Sequence, residues 1–212
     1  MNITREELFN YLFNCELIDY GCYGIVNKID DDNCVKLYYK DIFDGFSRKD
    51  MDLIDEEIDT RVEIEKYLDE NDSELSYLEN RKLELLIEKG FIKEVLMYRN
   101  YKIGIIMKYY KGYDTLGFVA KLLDKKEKII VLKKVRKILD DLLKANIFPQ
   151  DLSIANILVN IKTLDVVFID LDDSLTRYDT DLYFKEKPKI KTRLLRDCND
   201  KFKSIENYCC NL

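Results

Sequence analysis

The sequence contains no histidine, and this absence limits the chemistry available to the protein. Without an imidazole there is no Ser-His-Asp triad, no histidine base and no metal site with histidine ligands. We therefore expect any catalysis to depend on carboxylates, lysines, cysteines or a bound metal ion.

Proline, glycine and long apolar runs are also scarce. The 212 residues include 2 prolines and 7 glycines, and 47% are hydrophobic, so we expect a packed core and not a disordered chain. No apolar run approaches the roughly 20 residues of a membrane-spanning helix, and the first ten residues lack the apolar stretch of a secretory signal. We predict a cytoplasmic protein without a membrane partner.

Charge and cysteine content exclude further classes. The 35 basic and 41 acidic residues give a net charge of −6, so we expect no general nucleic-acid partner. The 6 cysteines form no CxxC pair of the zinc-binding type, and reduced thiols are expected in the cytosol. Cys209 and Cys210 are expected in a frayed tail, without a catalytic role.

Hydrophobic spacing predicts an α+β protein in which strands precede most of the helices. Thr4 and Glu7 have the spacing of a capping box at the start of a short helix. Further helices are predicted at 49–70 (acidic), 74–89 (ending at Gly90), 121–145 and in the C-terminal tail. Strands are predicted at 15–21, 23–29, 33–39, 91–100, 101–110, 157–161 and 166–169, and the segments 91–100 and 101–110 are predicted to form a hairpin whose turn is Arg99–Asn100.

Two segments near the N-terminus are suited to binding phosphate. The first contains Gly21, Tyr23 and Gly24, and its glycines let backbone amides approach phosphate oxygens. Two glycines between strands are equally typical of a hairpin turn. The second is Lys36, a lone cation in an apolar strand, which either extends to solvent or pairs with an anion.

Two later segments place polar side chains at the ends of apolar strands. Asp151 and Asn156 lie in a loop that leads into the strand ILVNI, and Asp170 follows the apolar run VVFI. Asn156 and Asp170 carry oxygen ligands of the kind that Mg²⁺ takes. The two residues are therefore candidates for sharing one magnesium ion.

In order and spacing, these four segments resemble motifs of the protein-kinase-like superfamily across roughly residues 15 to 175. The D-L-S-x-x-N form of the loop and the following I-D-L-D-D are closest to RIO-type kinases and aminoglycoside phosphotransferases. The resemblance implies that Asp151 is the catalytic base and that Asn156 and Asp170 bind the metal. It also implies that Lys36 holds the α- and β-phosphates of ATP.

The same resemblance implies an adenine site. Met107 takes the gatekeeper position, backbone groups of Lys108, Tyr109 and Tyr110 would hydrogen-bond the adenine, and Asp114 would reach the ribose. Four apolar side chains would enclose the purine ring: Ile18, Val26, Cys34 and Leu158. Each of them alone is explained at least as well as ordinary core.

A glutamate on the helix before the fourth strand orients the lysine in this superfamily. Glu79 is the preferred candidate here, because Leu83 lies at i+4 and Leu86 follows one turn later. Glu84 is the second candidate, since Glu88 at i+4 indicates an outer face. We expect Glu79→Gln to weaken activity and Glu84→Gln to have little effect.

The implied architecture is a bilobal protein-kinase-like fold. Residues 1–111 would form an N-lobe with a five-stranded antiparallel sheet, and residues 112–212 a truncated, mainly helical C-lobe. The expected function is ATP- and Mg²⁺-dependent transfer of the γ-phosphoryl group to a hydroxyl acceptor, with a protein Ser/Thr kinase favoured. A small-molecule kinase of the aminoglycoside-phosphotransferase type is the enzymatic alternative.

A nucleotide-binding pseudokinase that regulates a partner is the non-enzymatic alternative. It is favoured by Asp19 at the position of the motif's first glycine, by Pro149 and Gln150 in place of His-Arg, and by the short C-lobe. Residues 121–144 hold nine bases against four acids, and residues 185–204 eight against three. This excess predicts an acidic partner, or it balances the acidic segment 49–70.

Overall fold

The computed structural model of this chain describes residues 1–20, 24–38, 80–98, 101–171, 175–176 and 189–212. Gly21, Tyr23, Glu79, the acidic helix predicted at 49–70 and the turn predicted at Arg99–Asn100 lie outside these ranges. Among the helices that the structure describes, none is both long enough and apolar enough to cross a membrane.

The chain divides into two compact units, Met1–Lys111 and Gly112–Leu212. The predicted α+β class and the five-stranded antiparallel sheet are confirmed. That the two units are the lobes of a kinase stays a prediction.

The first unit contains the five-stranded sheet and two described α-helices. The sheet order is β1-β2-β3-β5-β4, and every neighbouring pair is antiparallel. The strands are β1 (Glu16–Tyr20), β2 (Gly24–Lys28), β3 (Asn33–Tyr38), β4 (Glu94–Tyr98) and β5 (Tyr101–Lys108). The helices are α1 (Arg5–Phe9), which continues as a π-helical turn (Asn10–Asn14), and α2 (Asn80–Glu88).

One face of the sheet packs against the N-terminal helical segment. Its core contains Leu8, Phe9 and Leu12 from the helical segment, with Val35 and Leu37 from β3. The predicted capping box is confirmed: Glu7 N–H donates to Thr4 Oγ1 and Thr4 N–H donates to the Glu7 carboxylate. The apolar side chains of the N-terminal helical segment and those on one face of β3 therefore pack against each other.

Helix α2 ends where the sequence predicted. Gly90 has a φ of 76°, a conformation that residues with a Cβ adopt at a cost. The N–H of Gly90 donates to Ile87 O and that of Phe91 to Leu86 O, which satisfies carbonyls at the helix end. The chain then enters β4.

In its described residues, the second unit combines helices with two small sheets. The helices described there are α3 (Leu116–Val119), α4 (Lys125–Lys144) and α5 (Lys189–Cys210). A three-stranded sheet has the order β6-β8-β9, and a two-stranded sheet pairs β10 with β7. The strands are β6 (Tyr113–Thr115), β7 (Ile147–Phe148), β8 (Ile157–Asn160), β9 (Val166–Phe168) and β10 (Leu175–Thr176).

Three sequence predictions for this unit were wrong in detail. Helix α4 begins at Lys125 and not at Lys121, because Asp124 and Glu127 form a second capping box. The helical spacing of apolar residues predicts Ile129 on the buried face of this helix, but Ile129 is 45% exposed and Val131 is buried instead. Cys209 is only 1% exposed within α5, so it does not lie in a frayed tail.

Candidate functional site

The structure places four of the predicted nucleotide-binding residues on one face of the first unit's sheet. Val26 lies opposite Lys36, and Cys34 lies opposite Met107. Directly opposed residues of antiparallel strands point to the same face, and Cys34 and Lys36 are two positions apart in β3. This face is opposite to the one that carries Val35 and Leu37.

Lys36 is the most deeply buried charged residue among those described, with 7% of its surface exposed. Its Nζ lies 5.3 Å from the centroid of the Tyr38 ring, on the same face of β3. The neighbouring strand is close: a Cβ at Gly104 would lie 2.4 Å from Lys36 O. Tight backbone packing therefore fixes the strand that carries this lysine.

The packing of the sheet by itself explains why a glycine occupies position 24. Gly24 begins β2 opposite Tyr38, and a Cβ there would lie 2.3 Å from Leu37 O. The close approach of β3 requires a glycine whether or not a phosphate binds. This position is thus explained by the sheet, and its role toward a nucleotide stays a prediction.

β1 contains a bulge at the predicted edge of the nucleotide site. The pairing shifts between Leu17 and Asp19, so that Ile18 is the extra residue next to the Asp19–Val26 pair. Ile18 is 42% exposed, and Asp19 is exposed as well. Ile18 is therefore near Val26 but is not part of the buried core.

Part of the backbone predicted to bind adenine already forms contacts within the protein. Tyr109 N–H donates to Asp32 O at 2.9 Å, in the turn between β2 and β3. The Cys34 thiol lies 3.7 Å from Lys108 O, and burial raises its pKa to about 11. The amide of Tyr109 is therefore not open to a ligand while the turn keeps this bond, whereas the contact of the neutral thiol with Lys108 O is weak.

Ion pairs also stabilise the turn between β2 and β3. Asp31 forms ion pairs with Lys28 (2.9 Å) and Lys111 (3.5 Å). The side-chain hydrogen bond from Lys28 is the main cause that lowers the pKa of Asp31, and Lys111 adds to it. Sequence reasoning identified only the acidic turn and missed both partners, of which Lys111 is far away in sequence.

In the second unit, the Asp151 loop is organised by Asn156. The side-chain amide of Asn156 donates to Asp151 Oδ2 at 2.8 Å and to Asp151 O at 3.0 Å. Asp151 is exposed, and no described residue donates a hydrogen bond to its Oδ1. One carboxylate oxygen is thereby held by Asn156, while the other accepts no hydrogen bond from a described residue.

Asp170 lies at the same end of a β-hairpin as Asn156. β8 and β9 are antiparallel, with Ile157 opposite Phe168, and Ile169 N–H donates to Asn156 O at 3.0 Å. Asp170 has a φ of 60°, in the left-handed region that non-glycine residues adopt infrequently. Backbone strain of this kind concentrates at functional sites.

The side chains at this hairpin end carry oxygen donors of the type that Mg²⁺ takes. Because the Asn156 amide nitrogen is bonded to Asp151, its Oδ1 is left as the acceptor, and no described residue donates to it. Among the described ranges no group of three or more His, Cys, Asp or Glu is arranged to hold a metal. Mg²⁺ needs no such cage, since it takes one or two carboxylates together with substrate phosphates and water.

The other predicted site residues, Asp114, Leu158 and Glu84, are exposed or only half-buried. Asp114 is exposed in β6, and its Oδ1 accepts a hydrogen bond from Thr115 N at 2.7 Å. Leu158 is half-buried in the central strand of the three-stranded sheet, opposite Thr115 and Val167. Glu84 is exposed on α2, as predicted, whereas its competitor Glu79 lies outside the described residues.

Sequence reasoning missed three residues that contact the Asp151 loop. Lys201 Nζ donates to Gln150 O, Cys198 Sγ lies 3.9 Å from Pro149 O, and Gly117 N–H donates to Ile154 O at 3.2 Å. These contacts join segments far apart in sequence. No local sequence motif predicts these contacts.

Comparisons with protein-family models and with curated proteins found no match to this chain.

Proposed function

We propose that this protein is a protein-kinase-like phosphotransferase that moves the γ-phosphoryl group of ATP to a hydroxyl acceptor in a Mg²⁺-dependent reaction. The observation that carries the proposal is the double hydrogen bond from the Asn156 amide to Asp151. These bonds hold one carboxylate oxygen of Asp151 and leave the amide oxygen of Asn156 available as a ligand, at the hairpin end that also carries the strained Asp170. A base and a hard-metal donor set within one short segment suit phosphoryl transfer.

In this mechanism the acceptor's hydroxyl oxygen attacks the γ-phosphorus, and Asp151 Oδ1 takes the proton of that hydroxyl. The bond to the β–γ bridging oxygen breaks, and ADP leaves with the electron pair. The bond from Asn156 to Oδ2 keeps the carboxylate from rotating. A positioned base costs no reorganisation at the moment of transfer.

Asn156 Oδ1 and the Asp170 carboxylate would hold the metal. A Mg²⁺ ion held there would supply positive charge that offsets the negative charge of the phosphates. Lys36 would contribute a positive charge toward the α- and β-phosphates from the sheet face that it shares with Val26 and Cys34. Its burial keeps such an interaction poorly screened.

A protein serine or threonine side chain is the favoured acceptor, and a small hydroxyl-bearing metabolite is the enzymatic alternative. Asp151 is exposed, which leaves room for a macromolecular acceptor at the base. A radiolabelled-phosphate screen against a cell extract and against its small-molecule fraction separates the two classes.

A pseudokinase is the second candidate, and two observations favour it. Asp19 brings an exposed negative charge next to Val26, and the Tyr109 amide is already bonded to Asp32. Both would weaken ATP binding relative to a complete nucleotide site. The test is ATP binding and γ-phosphate release by the purified protein, with and without Mg²⁺. Binding with Mg²⁺-dependent release supports the phosphotransferase, and binding without release supports the pseudokinase.

A further inference from the structure

The loop that carries Asp151 is bonded to the C-terminal helix at its beginning. Lys201 of α5 donates a hydrogen bond from Nζ to Gln150 O, the carbonyl directly before Asp151. One helical turn earlier, Cys198 Sγ lies 3.9 Å from Pro149 O, a weaker contact to the preceding carbonyl. Two successive carbonyls of the loop therefore face the same side of α5.

The other end of the loop is also linked to α5, through α3. Tyr208 donates from its hydroxyl to Gly117 O at 3.2 Å, and Gly117 N–H donates to Ile154 O at 3.2 Å. One peptide segment at Gly117 thus connects the helix to the loop two residues before Asn156. The face of α5 that contains Cys198, Lys201 and Tyr208 reaches both ends of the loop.

This face of α5 is anchored in the second unit. Phe202, Ile205 and Cys209 are 6%, 3% and 1% exposed. Arg136 of α4 donates to Asn199 Oδ1 at 2.6 Å, and its guanidinium lies 5.4 Å from the centroid of the Phe202 ring. A helix held by its apolar face and by these contacts provides a rigid base for the Lys201 ammonium group.

We propose that α5 is a clamp on the Asp151 loop, with Lys201 as a positioning residue for Asp151 and Tyr208 as a second one. The catalytic part of this inference rests on the proposed phosphotransferase function. Lys201 fixes the peptide that leads into Asp151, and Asn156 fixes the carboxylate itself. Loss of the lysine bond frees that peptide, and a base displaced by about 1 Å can lose about a hundredfold in rate.

The test compares Lys201→Met, Lys201→Arg and a control, Lys203→Met. Lys203 is exposed on the same helix, and its only described ion pair is to Asp200 at 3.9 Å. We expect Lys201→Met to lower kcat by about ten- to a hundredfold with KM for ATP within about twofold, because the bond positions the base and not the nucleotide. Lys201→Arg restores most of the rate, and Lys203→Met behaves as wild type.

Hydrogen exchange provides a readout that does not depend on activity. The N–H of Asn156 is bonded to Ser153 O within the loop. It should exchange faster in Lys201→Met and at the wild-type rate in Lys203→Met, because only the first variant loosens the loop. Equal kcat and equal exchange in the two methionine variants would overturn the clamp.

The two proposals fail in different ways. If the wild type shows no Mg²⁺-dependent release of phosphate, the phosphotransferase function fails and the catalytic role of Lys201 fails with it. Faster loop exchange in Lys201→Met would then still support the clamp as a structural device. If Lys201→Met does not fold, Tyr208→Phe removes a single hydroxyl, and an unchanged kcat and exchange rate in that variant overturn the inference.

Discussion

At the scale of single residues, Asp170 combines a carboxylate with an unusual backbone conformation. Its φ of 60° is tolerated by asparagine about as well as by aspartate. We therefore expect Asp170→Asn to keep the fold while losing the charge that the metal requires. Thermal melts should show a rise with ATP and Mg²⁺ for wild type that shrinks in the variant. An equal rise in both proteins would remove Asp170 from the metal site.

Two adjacent cysteines in α5 give a second residue-scale prediction. Burial raises the pKa of the Cys209 thiol, with the neighbouring Cys210 a smaller cause, and Cys209 is 1% exposed whereas Cys210 is exposed. Iodoacetamide should modify Cys210 more than about tenfold faster, since Cys209 reacts only after local opening. Fragment mass spectra distinguish the two sites. Comparable rates at both would mean that the last turn of α5 is not packed.

The two candidate glutamates for Lys36 give a third residue-scale prediction. Glu84 is exposed on α2, so Glu84→Gln should leave ATP-dependent turnover nearly unchanged. Glu79→Gln should lower it strongly, because a charge that orients a buried lysine is poorly screened. Steady-state kinetics of both variants decide the matter. The reverse order of effects would assign the role to Glu84.

Residue roles were predictable from sequence where a local pattern determines them. The Thr4–Glu7 capping box and the stop at Gly90 follow from short-range rules and are confirmed. The bond from Tyr109 N–H to Asp32 O and that from Lys201 to Gln150 O join distant segments, so no local pattern predicts them. Both bear directly on the candidate site.

At the scale of secondary-structure elements, the contact between β3 and β5 depends on Gly104. A Cβ there would lie 2.4 Å from Lys36 O, which is backbone and cannot rotate away. We expect Gly104→Ala to lower the free energy of unfolding by about 1 to 3 kcal/mol and to disturb the strand that carries Lys36.

Gly117→Ala is the matched control for this variant. A Cβ at Gly117 would meet the end of the Ile154 side chain at 3.1 Å, which can shift, and alanine favours helix α3. Its stability should stay within about 0.5 kcal/mol of wild type. Urea unfolding followed by circular dichroism measures both. A Gly104→Ala protein as stable as the control would show that β3 and β5 are not packed as described.

Alternating and helical patterns were enough to find most of the described elements, but not all of their ends. The strands of the first unit and the hairpin of β4 and β5 follow from apolar runs between turns. Apolar spacing alone predicts a start of α4 at residue 121, four residues too early, because the Asp124–Glu127 capping box determines the first turn. The short helix α3 was missed, since four residues show too little periodicity.

At the scale of the whole molecule, the basic segments of the second unit are partly neutralised by their neighbours. Lys134 pairs with Asp165, Arg136 with Asp140 and Arg193 with Asp197. Four exposed lysines of α4 form no ion pair with a described residue: Lys125, Lys126, Lys133 and Lys137. The hypothesis of an acidic partner therefore depends on these lysines and not on the total of basic residues.

The proposed phosphotransferase function is also a property of the whole molecule, because it needs the nucleotide, the metal and the base to act together. The most direct measurement is release or transfer of γ-labelled phosphate from ATP by wild type and by Asp151→Asn, each with and without Mg²⁺. The proposal predicts Mg²⁺-dependent transfer by wild type and a loss of about a hundredfold or more in Asp151→Asn, with ATP affinity within about twofold. Equal transfer by both proteins, or a wild type that binds no ATP, would contradict it.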